Sequence, residues 1–292
     1  MSKSIIMKAP AKLNLYLDIE EKLDSGYHNM KMVMQTISLC DKVKIEKNES
    51  GKIEICSSNN KIPLDEKNIA YKTAEAFYET RKEKFTGLKI TIDKEIPMEA
   101  GMGGGSADAA AVLKGLDILE KTDMSEEEMI EVSVSLGGDV PFAVKGGTCS
   151  AEGIGEKLSA LKPLKNMAFV IIKPDTGIST KEAFHKFDEE NVREEDRYSE
   201  MLKAMESGNR EEIILNMQNL FEKLCPLKEV DNYRKILLNA GAEKAMMTGS
   251  GSAVFGVFEN IYEAQKAAEK IKTQIQNVWT AVPFDKGACT ED

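Results

Sequence analysis

The sequence predicts an α+β fold in two domains, and three observations predict it. The chain has 292 residues, 42% hydrophobic and 30% charged, which is a globular composition and more length than one core usually serves. Short runs of alternating polarity, parted by Gly, Asn and Ser, crowd the first half, with helices set between them. From Gly155 the chain becomes the polar, proline-bearing link "GEKLSALKPLKN", after which "MAFVIIK" starts a new strand. The boundary is therefore placed between 1–160 and 161–292. The second part reads strand, helices, a Gly/Ser turn, strand, helix, strand, which suits an α/β sandwich.

Taken in order, "KLNLYLDI" from Lys12 to Ile19 alternates strictly. That sets Leu13, Leu15, Leu17 and Ile19 on one face of a strand, and Lys12, Asn14, Tyr16 and Asp18 on the other. Further short strands are expected at "KVKIEK", "GKIEICS" and "GLKITID". One helix is expected at "NIAYKTAEAFYETR". Another begins at Ser106, with Val112, Leu113, Leu116 and Leu119 at helical spacing. A third opens on a capping box made by Ser125 and Glu128 and stops at Gly137-Gly138. The acidic block "FDEENVREEDRYSE" reads most simply as a solvated loop or helix edge.

Composition also excludes. A formal charge of −10 repels polyanions at long range, so nucleic acid is not an expected partner, whereas a small anionic ligand is compatible. Five cysteines, widely spaced and without a C-x-x-C pair, point to unpaired thiols rather than zinc or redox chemistry. With only His28 and His185, a Ser-His-Asp triad or His-rich metal site has little material. No apolar run approaches the length of a membrane span, and the N-terminal apolar stretch is too short for a secretory signal. A cytoplasmic protein without a membrane partner is expected.

The stretch from Pro97, "PMEAGMGGGSADAAAVL", follows a strand and opens a helix. Free N–H groups at a helix N-terminus, the helix dipole and the absence of side chains together suit a phosphate. Glycine also takes the positive φ that an anion nest needs. A Walker A loop is ruled out because no Gly-Lys-Ser/Thr occurs in the chain. A dinucleotide fingerprint would want Gly where Ser106 stands, and neither histidine sits in an H-R-D sequence. A ligand-free glycine turn is the remaining alternative.

This stretch resembles the second motif of the GHMP small-molecule kinases. "APAKLNLYLDI", "SGYHNMKMVMQTISLCD", "SLGGDVPF", "GGTCSAEGIGEKL" and "MTGSGSAVFG" resemble further segments of the branch that acts on a cytidine-diphosphate-linked methylerythritol. The likeness runs from Lys8 to Gly256. It implies an N-terminal ribosomal-protein-S5-domain-2-like domain and a C-terminal ferredoxin-like sandwich, with ATP and Mg2+ as co-substrate and cofactor. The implied product is a 2-phosphate on a route to isoprenoids, made by a monomer or homodimer.

The resemblance also assigns roles. Asp139 would be the catalytic base, with Lys12 beside it to steady the acceptor oxygen or the moving phosphoryl group; a structural Asp–Lys pair is the alternative. Asn68, Lys94 and Pro97 would meet ATP, whose phosphates would lie on Gly101, Gly103, Gly104, Gly105 and Ser106. Asn14, Tyr27, His28, Thr180 and Phe184 would hold the cytidine substrate. Ala107 departs from a second serine often found there, and Asp108 stands near the phosphates as either a dipole partner or a water-mediated magnesium contact. No metal ligand is assigned. Another GHMP kinase, of mevalonate or homoserine type, a non-catalytic ATP or metabolite sensor, and a scaffold using the acidic block are the competing readings.

Overall fold

The computed structural model describes residues 3–82, 84–190 and 192–291. The first half runs β1 (Ser4–Lys22), β2 (His28–Lys47), β3 (Ile53–Ser57), α1 (Ile69–Arg81), β4 (Leu88–Asp93), α2 (Gly104–Glu120), α3 (Glu126–Val134), α4 (Val140–Lys145), β5 (Thr148–Gly153) and β6 (Lys157–Ala160). The second runs β7 (Ala168–Ile172), α5 (Thr180–Glu190), α6 (Tyr198–Ser207), α7 (Arg210–Asn216), β8 (Gln218–Asn219), α8 (Phe221–Leu224), α9 (Lys228–Asn239), β9 (Lys244–Met247), β10 (Val254–Phe258), α10 (Ile261–Lys272), β11 (Val278–Ala281) and β12 (Cys289–Thr290).

Two sheets result. The long β1–β2 hairpin anchors the first, in the order β12-β1-β2-β4-β3. Residues 42–47 of β2 pair with β4, whereas residues 30–35 pair with β5, so the hairpin serves two partners along its length. The second sheet is antiparallel in the order β11-β7-β10-β9. Numbered by appearance that is 4-1-3-2, the ferredoxin-like order expected. The chain also recrosses between sheets, because β8 pairs with β1 and the tail strand β12 returns to its other end.

β7 is buried on both faces, which its unbroken apolar run requires. Phe169 and Ile171 join the core beneath the first sheet, and Ala168, Val170 and Ile172 join the second core with residues of α9 and α10. Helix α2 is buried continuously from Ala107 to Leu113. Its alanines permit close approach to β1 and α1, and a side chain at Gly115 would collide with Ile45. Each large core side chain, such as Phe77, contributes about 1.5–3 kcal/mol by burial.

Two local expectations need correction. A register shift between Asn14 and Tyr16 interrupts the alternation of β1. One extra residue reverses the faces beyond it, so Tyr16 lies with Leu13 in one core while Leu17 and Ile19 lie in the other. The capping box of α3 is formed, Ser125 Oγ accepting from Glu128 N and Glu128 accepting from Ser125 N. The helix nonetheless ends at Val134, three residues before Gly137, where the Ser133 and Ser135 hydroxyls turn back onto carbonyls of the last turn.

Candidate active site

The glycine loop lies where the two sheets meet. Gly101 and Gly103 take φ of 71° and 68°. A side chain on Gly101 would collide with the Thr248 carbonyl oxygen, and one on Gly249 would lie 2.7 Å from the Gly101 oxygen. Two glycine loops far apart in the chain therefore pack backbone to backbone, tied by Ala253 N to Ala100 O and Ser252 N to Glu99 O, each 3.2 Å. Helix α2 starts at Gly104 rather than Ser106, its first bond running from Ala107 N to Gly103 O at 2.9 Å. Gly104 and Gly105 are thus first-turn residues, and their amides with that of Ser106 lack intrahelical partners.

Over this helix end sit Lys12 and Asp139. A Cβ on Gly103 would fall 3.1 Å from Lys12 Cγ and 3.8 Å from Asp139 Oδ2, so bare backbone, cation and carboxylate meet at one point. Lys12 is buried, donates to Asn14 Oδ1, and has its Nζ 3.6 Å from Asp139 Oδ2. Asn14 in turn donates through Nδ2 to Met32 Sδ, and its backbone N–H donates to Thr248 Oγ1. Asp139 occupies the N-cap position of α4 without capping it. Although it precedes the apolar Val140-Pro141-Phe142, its side chain is 35% exposed, because the helix carries those three inward and leaves the carboxylate at the rim of the cleft.

At one end of the cleft Asn68 caps α1, accepting from Ala70 N and donating to Pro63 O. Beside it Lys94 Nζ is buried between Asp41 and Asp108. Burial pulls the Lys94 ammonium down, but the two carboxylates outweigh it and hold Lys94 above its ordinary value. Asp108 Oδ2 accepts from Lys94 Nζ at 2.7 Å.

At the other end the tip of the β1–β2 hairpin meets α5. Tyr27 stands 62% exposed. The buried ring of His28 stacks on Phe184, with centroids 4.8 Å apart, meets Phe187 edge-on, and has Nε2 2.7 Å from Asp188 Oδ1. Thr180 Oγ1 shares a hydrogen bond of 3.0 Å with Ser250 Oγ of the glycine loop that contains Gly249 and Gly251.

The comparisons with known proteins decide the family. The description "GHMP kinases N terminal domain" matches residues 68–147, and "GHMP kinases C terminal" matches 190–277. A 4-diphosphocytidyl-2-C-methyl-D-erythritol kinase of Caldicellulosiruptor saccharolyticus is 42% identical over 279 residues, covering 94% of this chain and 95% of its own. One of the same name from Clostridium tetani is 42% identical over 276 residues, covering 94% and 98%. The chain belongs to the GHMP kinase family. A crystal structure of a 4-(cytidine 5'-diphospho)-2C-methyl-D-erythritol kinase matches this GHMP kinase with a TM-score of 0.77 at 29% identity, covering 96% of this chain and 99% of that one. A homoserine kinase from Cytophaga hutchinsonii has a TM-score of 0.79 at 19% identity, covering 100% and 98%, which speaks for the shared fold alone.

Within this GHMP kinase the residues expected to act in catalysis, on ATP or on substrate all line one cleft of about 1120 Å³, from Asn68, Lys94 and Pro97 through the glycine loop, Lys12, Asn14 and Asp139 to Tyr27, His28, Thr180 and Phe184. Its lining also includes residues that sequence reasoning passed over. Asp188 was absorbed into an acidic block taken as solvated, yet Phe187 beside it is buried and Asp188 itself holds His28 and Lys22. The spacing Thr180, Phe184, Asp188, four residues apart on one helix face, was the available signal. Ser250, which bonds Thr180, is another such residue. Among the described residues, no group of three His, Cys, Asp or Glu side chains is placed to hold a metal, and no helix is long and apolar enough to cross a membrane.

Proposed function

We propose that this chain is an ATP-dependent small-molecule kinase that transfers the γ-phosphoryl group to the 2-hydroxyl of 4-diphosphocytidyl-2-C-methyl-D-erythritol. The observation that carries the reading is the meeting of Lys12 and Asp139 over Gly103, between a helix N-terminus suited to phosphates and an aromatic recess suited to a pyrimidine. The identity of 42% over 94% of the chain to proteins of that name supports the same substrate.

Phosphoryl transfer asks chiefly for positioning and charge stabilisation. The amides of Gly104, Gly105 and Ser106 and the α2 dipole would receive the ATP phosphates, with Gly101 and Gly103 keeping side chains out of their way. Asn68, Lys94 and Pro97 would wall the nucleotide end. The half-exposed Asp139 carboxylate would accept the acceptor hydroxyl's proton as that oxygen attacks in line. Lys12, fixed by Asn14, would stabilise charge on the acceptor oxygen and the moving group. No covalent enzyme intermediate is required. Mg2+ would travel with the ATP phosphates and neutralise part of their charge. Tyr27, His28 and Phe184 would hold the cytosine, and Thr180 the sugar. A biosynthetic kinase of this kind suits the cytoplasm.

The test is an ADP-release assay with the cytidine substrate on the parent and on Asp139→Asn and Lys12→Ala. Both variants should lose about 10²–10⁴ in kcat with folding retained. Absence of turnover in the parent above its ATPase background would sink the reaction; near-parent kcat in Asp139→Asn would remove Asp139 as base. Mevalonate and homoserine in the same assay address the other kinase readings.

A further inference from the structure

The α5 helix presents Phe184, Phe187 and Asp188 to the hairpin tip and Thr180 to Ser250, a set spaced as one helical face. Three of these grip a single ring. Phe184 lies parallel to His28 with 18° between planes, Phe187 meets it at 84°, and Asp188 Oδ1 reaches Nε2 at 2.7 Å. The other Asp188 oxygen is bound by Lys22 at the end of β1. Such a grip is more than packing needs, because it fixes the imidazole's plane and also the edge from which it can be read.

We propose that Asp188 is a positioning residue that makes His28 selective for an amino-pyrimidine over an oxo-pyrimidine. The inference rests on the reading of a cytidine nucleotide as substrate. An ionised carboxylate only accepts, and the Lys22 ammonium, followed by His28, holds Asp188 below the usual carboxylate range. The Nε2 atom must then carry the ring proton, which leaves Nδ1 of the neutral imidazole as an acceptor. An acceptor there complements the exocyclic amine of cytosine, a donor, and opposes the O4 of uracil, another acceptor. Discrimination by an unpaired polar group is the stronger kind that a site can impose.

The test begins with the parent. The chain holds only His28 and His185, so a long-range nitrogen–proton NMR spectrum of labelled protein separates their tautomers. At neutral pH, His28 should show a protonated Nε2 and an unprotonated Nδ1. In Asp188→Leu that preference should weaken, KM for the cytidine substrate should rise about 10-fold with kcat little changed, and the cytidine-to-uridine ratio of kcat/KM should fall about 10-fold. Asp188→Asn, whose amide oxygen still accepts, should restore tautomer and ratio to within about threefold. A parent His28 protonated on Nδ1, or an unchanged ratio in a folded Asp188→Leu, overturns the role of Asp188 while leaving the kinase reading intact. No parent turnover with either pyrimidine nucleotide overturns the substrate reading and the selectivity with it.

Discussion

Asp108 carries the least ordinary chemistry of any single residue in the fold. Its Oδ2 accepts from Lys94 Nζ, and its Oδ1 is buried without a partner among the described residues. Asp41, also buried, accepts from the Glu95 and Ile96 amides as well as from Lys94. One cation thus faces two carboxylates in a space that excludes water. Burial pushes the Asp108 carboxyl up to about 8, with Lys94 pulling it down and Asp41 pushing it further up. A folded-state value above the unfolded one of about 3.9 fixes the sign of the linkage. The contribution of this group is full below about pH 4 and is lost as pH rises towards 8. Asp108→Asn, neutral throughout, should therefore gain stability relative to the parent between pH 5 and 8.5. Denaturant unfolding of both proteins across that range checks it; a difference that does not change with pH would mean a carboxylate ionised throughout and paired with Lys94.

Among the elements, α2 shows how much of the site depends on its first residue. Gly103 caps the helix in the left-handed region, and an added methyl would press on Lys12. Gly103→Ala should cost about 1–2 kcal/mol in backbone strain, visible as a few degrees of Tm. It should reduce kcat by about 10-fold or more by displacing Lys12 from its place between Asn14 and Asp139. An unchanged kcat beside a lowered Tm would show that Lys12 adjusts without consequence. What was legible in the sequence was what neighbouring residues settle among themselves. The α3 capping box needs only residues three apart, and the glycine loop with its helix was recognisable from a contiguous run. The reversal of faces in β1 was not, since a bulge is set by the register against β2. Nor was the His28–Asp188 contact, whose partners lie 160 positions apart. Lys94 was assigned to ATP by resemblance, and its hydrogen bonds to Asp41 and Asp108 join residues 53 and 14 positions away.

Across the whole molecule, the tail ties the second half of the chain to the helix that carries Asp139 in the first. Beyond β11 the backbone passes Thr36, where Phe284 N donates to Thr36 O and Thr36 Oγ1 donates to Phe284 O. It then runs along α4, where Ala288 N donates to Ala143 O at 2.9 Å, before β12 pairs with Met7 and Lys8 of β1. Asp139 stands at the other end of that short helix, and Ala143 N donates to its carbonyl. The contact is close enough to demand glycine: a Cβ at Gly287 would collide with the carbonyl oxygens of Ala143 and Val144, and one at Gly146 would collide with the Gly287 backbone. Because the opposing atoms are backbone, Gly287→Ala can be relieved only by moving the tail or α4, at about 1–3 kcal/mol. If α4 moves, the Asp139 carboxylate shifts from its place 3.6 Å from Lys12, and a displacement of about 1 Å at a catalytic group costs up to about 10²-fold in rate. Gly287→Ala is expected to lower Tm by a few degrees and kcat by about 10-fold, with KM for ATP within about twofold, although it lies outside the cleft. Calorimetry and initial rates taken well below Tm check both halves. A lowered Tm with parental kcat would show the tail yielding and α4 held by its own packing.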